Sequence, residues 1–165
     1  MLQDTFIVGV MGGGSATQTD AKQAYELGRM IAENDWILLN GGRRAGIMAA
    51  SARGAAEAGG LTVGVLPDDH KGQMAEHIRI PIVTGMGSAR NCINVLSSDI
   101  VVACAGGSGT VSEIALALKC GKTVILLNFD IGILFESYRR QNQLIDAANV
   151  QQVITLIQDF KNISS

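Results

Sequence analysis

The stretch Asp99-Ile100-Val101-Val102-Ala103-Cys104-Ala105-Gly106-Gly107-Ser108-Gly109-Thr110 decides the fold. An apolar run of strand length breaks into a glycine-rich turn, and helix-compatible residues follow at once. That order describes a strand buried on both faces, then a helix whose first turn lies at the strand's C-terminal end. Three more glycine clusters repeat the arrangement: Gly12-Gly13-Gly14, Gly41-Gly42 and Gly85-Met86-Gly87 each close an apolar run. In a parallel α/β sheet the C-terminal strand ends share one edge. Ligands bind there because helix N-termini and bare backbone N–H groups converge. Four such loops describe a pocket for an anion, and phosphate suits it best.

Outward from this stretch the chain alternates strand and helix almost without a break. Strands are expected over 6–10, 36–39, 61–66, 80–83, 99–103 and 123–127, with a short edge strand over 144–147. Helices are expected over 20–34, 47–58, 88–96, 110–119, 133–142 and 150–161. Helical spacing turns Ala24, Leu27, Met30 and Ile31 inward on the first helix. It does the same for Ala89, Cys92, Ile93 and Leu96 over 88–96, and for Val111, Ile114, Ala115 and Leu118 over 110–119. The polar connection 68–77 reads as a flap. Short connections and continuous apolar strands imply an α/β parallel sheet with helices on both faces, in one domain spanning 1–165.

Composition narrows the function classes. The chain is 47% hydrophobic and 17% charged, which excludes disorder, and its net charge of −2 argues against nucleic acid as a partner. The start Met1-Leu2-Gln3-Asp4 lacks the basic residues of a signal peptide, and the run 100–105 is too short to span a bilayer. A soluble, cytoplasmic protein with no membrane partner is expected. Cys92, Cys104 and Cys120 lack C-x-x-C spacing and read as buried, inert thiols. His70 and His77 have no ligand spacing to any cysteine, so no metal site is expected.

The candidate cradle is Gly107, Ser108, Gly109 and Thr110. Its glycines admit close backbone approach, its two hydroxyls add donors, and the helix start adds its positive end. No lysine follows, so this is not the phosphate loop of nucleoside triphosphatases, and 9–14 does not match G-x-G-x-x-G. Thr110-x-x-Glu113 reads as a capping box, or else as a carboxylate set beside the cradle. Arg90 opens the helix after Gly85-Met86-Gly87, with Ser88, Asn91 and Asn94 as neighbours. A cation at a helix N-terminus opposes the dipole, so a bound anion or a carboxylate partner is expected there. Arg43 and Arg44 follow Gly41-Gly42 and could ring the same pocket, one of them as a plain surface charge.

These residues resemble the paired signature of the lysine decarboxylase-like proteins, the cytokinin-activating phosphoribohydrolases, whose motifs read M-H-x-R-K and P-G-G-x-G-T-x-x-E. In that pattern the glutamate lies 23 residues after the arginine, the interval between Arg90 and Glu113. Asn40-Gly41-Gly42 with Gly46-Ile47-Met48 is similar to the family's G-G-x-x-x-G-[LI]-M segment. The resemblance runs from Phe6 to about Leu127. Ser88, Asn91 and Ala105 stand where the family has histidine, lysine and proline. The segment 85–91, with Ser97-Ser98-Asp99 and 106–119, is more similar to a sister branch that includes the molybdenum-cofactor carrier proteins of algae and related bacterial proteins.

The resemblance implies a Rossmann-like sheet, assembled as a homodimer or homotetramer. It favours a carrier that holds the molybdenum cofactor, a phosphate-bearing pterin, or a nucleotide-like small molecule. Gly107, Ser108, Gly109 and Thr110 would cradle the phosphate, and Gly12, Gly13, Gly14, Ser15, Gly41, Gly42 and Arg43 would line the rest. Arg90 would balance ligand charge and position Glu113. The rival is a phosphoribohydrolase cleaving nucleoside 5′-monophosphates, with Glu113 stabilising the oxocarbenium-like ribose and Arg90 holding Glu113 or contacting the substrate. A nucleotide-sensing module would share the same pocket. The helices over 88–96 and 110–119 are apolar beyond one stripe, with Ala117 beside Leu116, and a second subunit is the expected cover.

Overall fold

Alternate residues of the central strands are apolar in both registers, so each strand feeds two cores. The computed structural model describes residues 5–164; the N-terminal stretch Met1 to Asp4, on which the signal-peptide reading rests, lies outside them. Strands β1 (Ile7–Met11), β2 (Ile37–Asn40), β3 (Thr62–Leu66), β4 (Ile80–Val83), β5 (Ile100–Ala103), β6 (Val124–Leu127) and β7 (Leu144–Ala147) form one sheet in the order β4-β3-β2-β1-β5-β6-β7. Every pairing is parallel. On one face Val8, Val10, Ile100, Val102, Ile125 and Leu127 pack under α1 (Gln18–Glu33), α2 (Gly46–Glu57) and α6 (Val150–Ser164). On the other face Met11, Val101, Ala103, Val124 and Leu126 pack under α3 (Asn91–Leu96) and α4 (Ser108–Lys119). The expected Rossmann-like sheet, with helices on both faces, is the fold observed.

Chain order reverses beside β1: β2, β3 and β4 step to one side, and β5, β6 and β7 to the other. Such a reversal leaves a crevice at the C-terminal ends of the two central strands, because their following connections depart in opposite directions. Here those connections begin with the glycine clusters after β1 and β5.

Several local expectations need correction. Helix α1 starts at Gln18 behind a capping box, in which the Thr17 hydroxyl accepts from Asp20 N–H and the Asp20 carboxylate accepts from Thr17 N–H. The expected box at Thr110 and Glu113 does not form: Gly107 is the N-cap of α4, so Thr110 already sits inside the first turn. The buried face of α4 holds Thr110, Glu113, Ile114, Ala117 and Leu118, which returns Ala117 to the core and leaves Val111 and Ala115 half-buried.

Over 88–96 the inward face is reversed. A 3-10 turn, Gly87–Arg90, leads into α3, whose buried residues are Asn94 and Val95; Ala89, Cys92 and Leu96 are exposed. Cys120 is exposed as well, so only Cys104 fits the buried-thiol reading; burial pushes its pKa up to about 12 and keeps it protonated. The helix expected over 133–142 shrinks to α5 (Glu136–Arg140), because Phe135 takes a left-handed φ of 65° just before it. The segment 68–77 is no free flap. Ala75 N–H donates to the Gly42 carbonyl at 2.8 Å and Arg44 N–H to the Gln73 carbonyl at 2.9 Å. Ala75 and Ile78 pack beside Ala52 of α2.

Helices α1 and α2 cross at two glycines. A Cβ on Gly28 would overlap the Ser51 carbonyl oxygen, and one on Gly54 would overlap the Tyr25 carbonyl oxygen. Both obstacles are backbone, so neither can swing aside. Gly54→Leu is expected to cost about 3 kcal/mol or more by forcing the helices apart, read as a lower urea midpoint. An unchanged midpoint would show that the crossing has slack.

Candidate functional site

The glycine loops after β1 and β5 lie against each other. Cys104 N–H donates to the Met11 carbonyl at 2.8 Å and Gly13 N–H to the Ala105 carbonyl at 3.0 Å. A Cβ on Gly106 would stand 2.9 Å from Gly13 N, so a side chain there would push the loops apart. Between them opens a cleft of about 430 Å³ at the point where strand order reverses. Gly12, Gly13 and Gly14 form one wall, and Gly107, Ser108, Gly109 and Thr110 form the other. The first N–H groups of α4 have no acceptor within the helix, which makes this turn a donor set for an anion. Met11, Met48 and Pro67 add an apolar surface to the same cleft.

Gly41, Arg43, Arg90 and Glu113 also line it. Ser15 does not; it faces a separate groove of about 950 Å³ between α1 and α2, together with Lys22, Arg44 and Arg53. Gly42 is buried behind the wall, with its N–H donating to Asn40 Oδ1 at 2.8 Å. Asn40 is itself fully buried and donates through Nδ2 to the Met48 carbonyl and to Ser51 Oγ. It thereby fixes the end of β2 to α2.

Arg90 serves the backbone first. Its Nη1 donates to the Gly41 carbonyl at 2.6 Å and the Val65 carbonyl at 2.7 Å, joining the C-terminal ends of β2 and β3. Its Nε is buried without a hydrogen-bond partner. A Cβ on Gly41 would collide with this guanidinium, so the glycine makes room for the arginine. Burial lowers the pKa of Arg90, and the nearby Glu113 charge opposes that shift.

Glu113 is 8% exposed, and its Oε1 accepts from Asn94 Nδ2 at 3.2 Å. Burial pushes its carboxyl above the ordinary range, while Asn94 and then Arg90 pull the other way. Asn94, not Arg90, supplies the hydrogen bond. Arg90 and Asn94 stand four apart on one face, which explains why the 88–96 segment turns its polar side inward. Asn94 is visible in the sequence as a neighbour of Arg90, but the apolar stripe hides its inward direction and its bond to Glu113.

Arg43 and Arg44 part company. Arg43 turns to the cleft and donates through Nη2 to Asp68 Oδ1 and Oδ2 at 3.1 and 3.3 Å. Arg44 turns to the α1–α2 groove, where its Nε donates to the Met74 carbonyl at 3.2 Å. Asp68 escaped the sequence reading; its signal is an acidic residue placed just past the β3 end, after Pro67. Val10, Met48, Pro67, Gly87, Ser88 and Asn91 complete the lining. Among the described residues no cluster of three or more His, Cys, Asp or Glu could hold a metal ion.

The arrangement offers backbone donors, two guanidinium groups, one buried carboxyl and an apolar floor. It can receive a small molecule with a phosphate at one end and a flat body at the other. A Cβ on Gly109 would meet nothing within 4 Å, so a side chain there projects into open space beside the donor turn. Gly109→Val is expected to keep the melting temperature within a few degrees yet abolish binding of inorganic phosphate in calorimetric titration. Undiminished binding would remove this turn from the cradle.

A family model described as the SLOG cluster4 family matches residues 5–154. The molybdenum cofactor binding protein from the phototrophic bacterium Rippkaea orientalis superposes with a TM-score of 0.89 at 46% identity, over 97% of this chain and 99% of that one. The Moco carrier protein from Chlamydomonas reinhardtii superposes with a TM-score of 0.86 at 42% identity, over 94% of this chain and 96% of that one. The cytokinin riboside 5′-monophosphate phosphoribohydrolase of Rhodococcoides fascians is 31% identical over 142 residues, 80% of this chain and 69% of that protein. The chain belongs to the SLOG cluster4 family, within the lysine decarboxylase-like superfamily of the cytokinin-activating phosphoribohydrolases and on the branch of the molybdenum-cofactor carrier proteins.

Proposed function

We propose that this protein binds and carries the molybdenum cofactor, a phosphate-bearing pterin. The observation that carries the reading is the likeness, along nearly the whole chain, to two proteins described as binding or carrying that cofactor. The cleft supports it. The phosphate rests on 107–110 against Gly12, Gly13 and Gly14, and the flat pterin lies toward Met11, Met48 and Pro67. Its donors are mostly main-chain N–H groups, which bind an anion without a committed charge of their own.

The second reading is hydrolysis of the N-glycosidic bond of a nucleoside 5′-monophosphate, favoured by Glu113 and Arg90 in one cleft and by the Rhodococcoides fascians relative. Its step would break the bond between ribose C1′ and the base nitrogen, with water adding to C1′ and its proton passing to the base. An ionised carboxylate would stabilise the ribose cation. Burial of Glu113 works against that ionisation, and neutral Ser88 and Asn91 leave the cleft less basic than the hydrolase motif.

The discriminating experiment uses the purified protein twice. With molybdenum cofactor released from a molybdoenzyme, it should co-elute with the cofactor and slow its oxidation. With adenosine 5′-monophosphate, it should release no adenine. Adenine release that Glu113→Gln abolishes would overturn the carrier reading, and failure to retain the cofactor would count equally against it.

We also propose that this carrier is cytoplasmic and assembles as a homodimer or homotetramer. Ile80, Ile82 and Val83 on edge strand β4 are 43%, 40% and 40% exposed, and Met86 and Leu96 are 49% and 56% exposed. Exposed apolar side chains on and near an unpaired sheet edge are a usual place for subunit contact. Light scattering is expected to give twice or four times the 17.3 kDa chain mass at micromolar concentration. A monomer alone would refute the assembly.

A further inference from the structure

Of the two guanidinium groups lining the cleft, Arg90 is anchored by two main-chain carbonyls and cannot follow a ligand. Arg43 is differently placed. Its partner is a carboxylate, shared through one nitrogen, and the two side chains are 42% and 25% exposed. Arg43 lines the cleft, and Asp68 holds its guanidinium through Nη2. The backbones of both residues are fixed. Gly42 and Arg44, on either side of Arg43, are tied to Ala75 and Gln73, and the Asp68 carbonyl accepts from Gly85 N–H at 3.0 Å. Only the side chains are free to change partners.

From this we infer that Asp68 is a built-in counter-anion: its carboxylate holds Arg43 while the cleft is empty, and the phosphate of an incoming phosphomonoester dianion takes its place. The inference rests on the proposed use of the cleft as a phosphate site. A half-buried arginine–carboxylate pair held through one nitrogen and open to solvent stabilises only modestly, so breaking it costs little. A phosphate dianion offers more charge and more acceptors than one carboxylate, and the planar fork of arginine suits it. Arg43 thus changes partner without ever being left as an unpaired cation beside Arg90, whose own charge it disfavours. The carboxylate competes throughout, so it lowers affinity and eases release, as a protein that surrenders its cargo requires.

The test is calorimetric titration of the full chain with inorganic phosphate at near-physiological salt. Asp68→Asn should bind phosphate about two- to fivefold more tightly, the range expected for one solvent-accessible ion pair. Asp68→Glu, which keeps the carboxylate, should return affinity toward wild type. Arg43→Met should bind more weakly, and adding Asp68→Asn to Arg43→Met should recover much less than Asp68→Asn gains alone. A crystal of the phosphate complex should show Arg43 on the phosphate and apart from Asp68. An Asp68→Asn variant that folds but binds no tighter overturns the inference, as does an equal gain in the Arg43→Met background. If wild type binds and Gly109→Val does not, the phosphate site stands even where this inference fails. If wild type binds no phosphate at all, the site reading falls and this inference falls with it.

Discussion

The close approach of two backbone loops governs this structure. Gly13 and Gly106 bring the connections after β1 and β5 so near that the Gly13 N–H reaches the Ala105 carbonyl. Side chains at these positions would separate the loops, and the crevice at the strand reversal would lose its floor. That constraint sets where α4 begins, because Gly107 becomes its N-cap and the first turn then faces Gly12 and Gly13 across the cleft. Anion donors, carboxyl and apolar floor all inherit their positions from it.

A second constraint is the satisfaction of strand ends. Parallel strands leave carbonyls at their C-terminal edge that no further strand residue can bond, and unpaired buried carbonyls are costly. Arg90 meets two of them, at Gly41 and Val65. Asn40 meets a donor instead: its Oδ1 accepts from the Gly42 N–H of the turn after β2, while its Nδ2 donates to the Met48 carbonyl of α2. An arginine that looks like a ligand contact in sequence is therefore first a brace between strands. The glycine at 41 is small because that brace lies against it.

Strand positions were legible because each is a short apolar run ended by glycine or a turn, and β7 was read to its observed limits. Helix faces near the site were not. Residues 88–96 carry an apolar stripe that simple periodicity assigns to the core, yet Arg90 and Asn94 must point inward to reach carbonyls and Glu113. The same spacing of threonine and acid occurs at Thr17 and Thr110, but only Thr17 holds the N-cap position; at Thr110 the preceding Gly107 has already taken it. The docked segment 68–77 was hidden for a related reason. Its composition is polar, and main-chain hydrogen bonds at Gln73 and Ala75, with Ala75 and the following Ile78 packed beside Ala52, fasten it. Periodicity registers averages over a face, whereas a site depends on single residues that violate them.

The charges of the cleft form a consistent set. Arg90 is committed to main-chain oxygens, Arg43 is matched by Asp68, and burial drives Glu113 toward its neutral form. Arg43 thus has a counter-anion, whereas Arg90 keeps its positive charge in the cleft, with Glu113 as the nearby carboxyl. A hydrolase acting on a ribose cation needs an ionised carboxylate ready at the reacting carbon, and burying that group without a committed cation opposes its charge. Reversible capture of a phosphate has the opposite requirement: main-chain donors held in place, with cations that can exchange one anion for another. The arrangement around Gly107, Arg43 and Glu113 meets the second requirement better than the first. That arrangement agrees with the carrier reading, whose main support is the likeness along nearly the whole chain to proteins described as binding or carrying the cofactor.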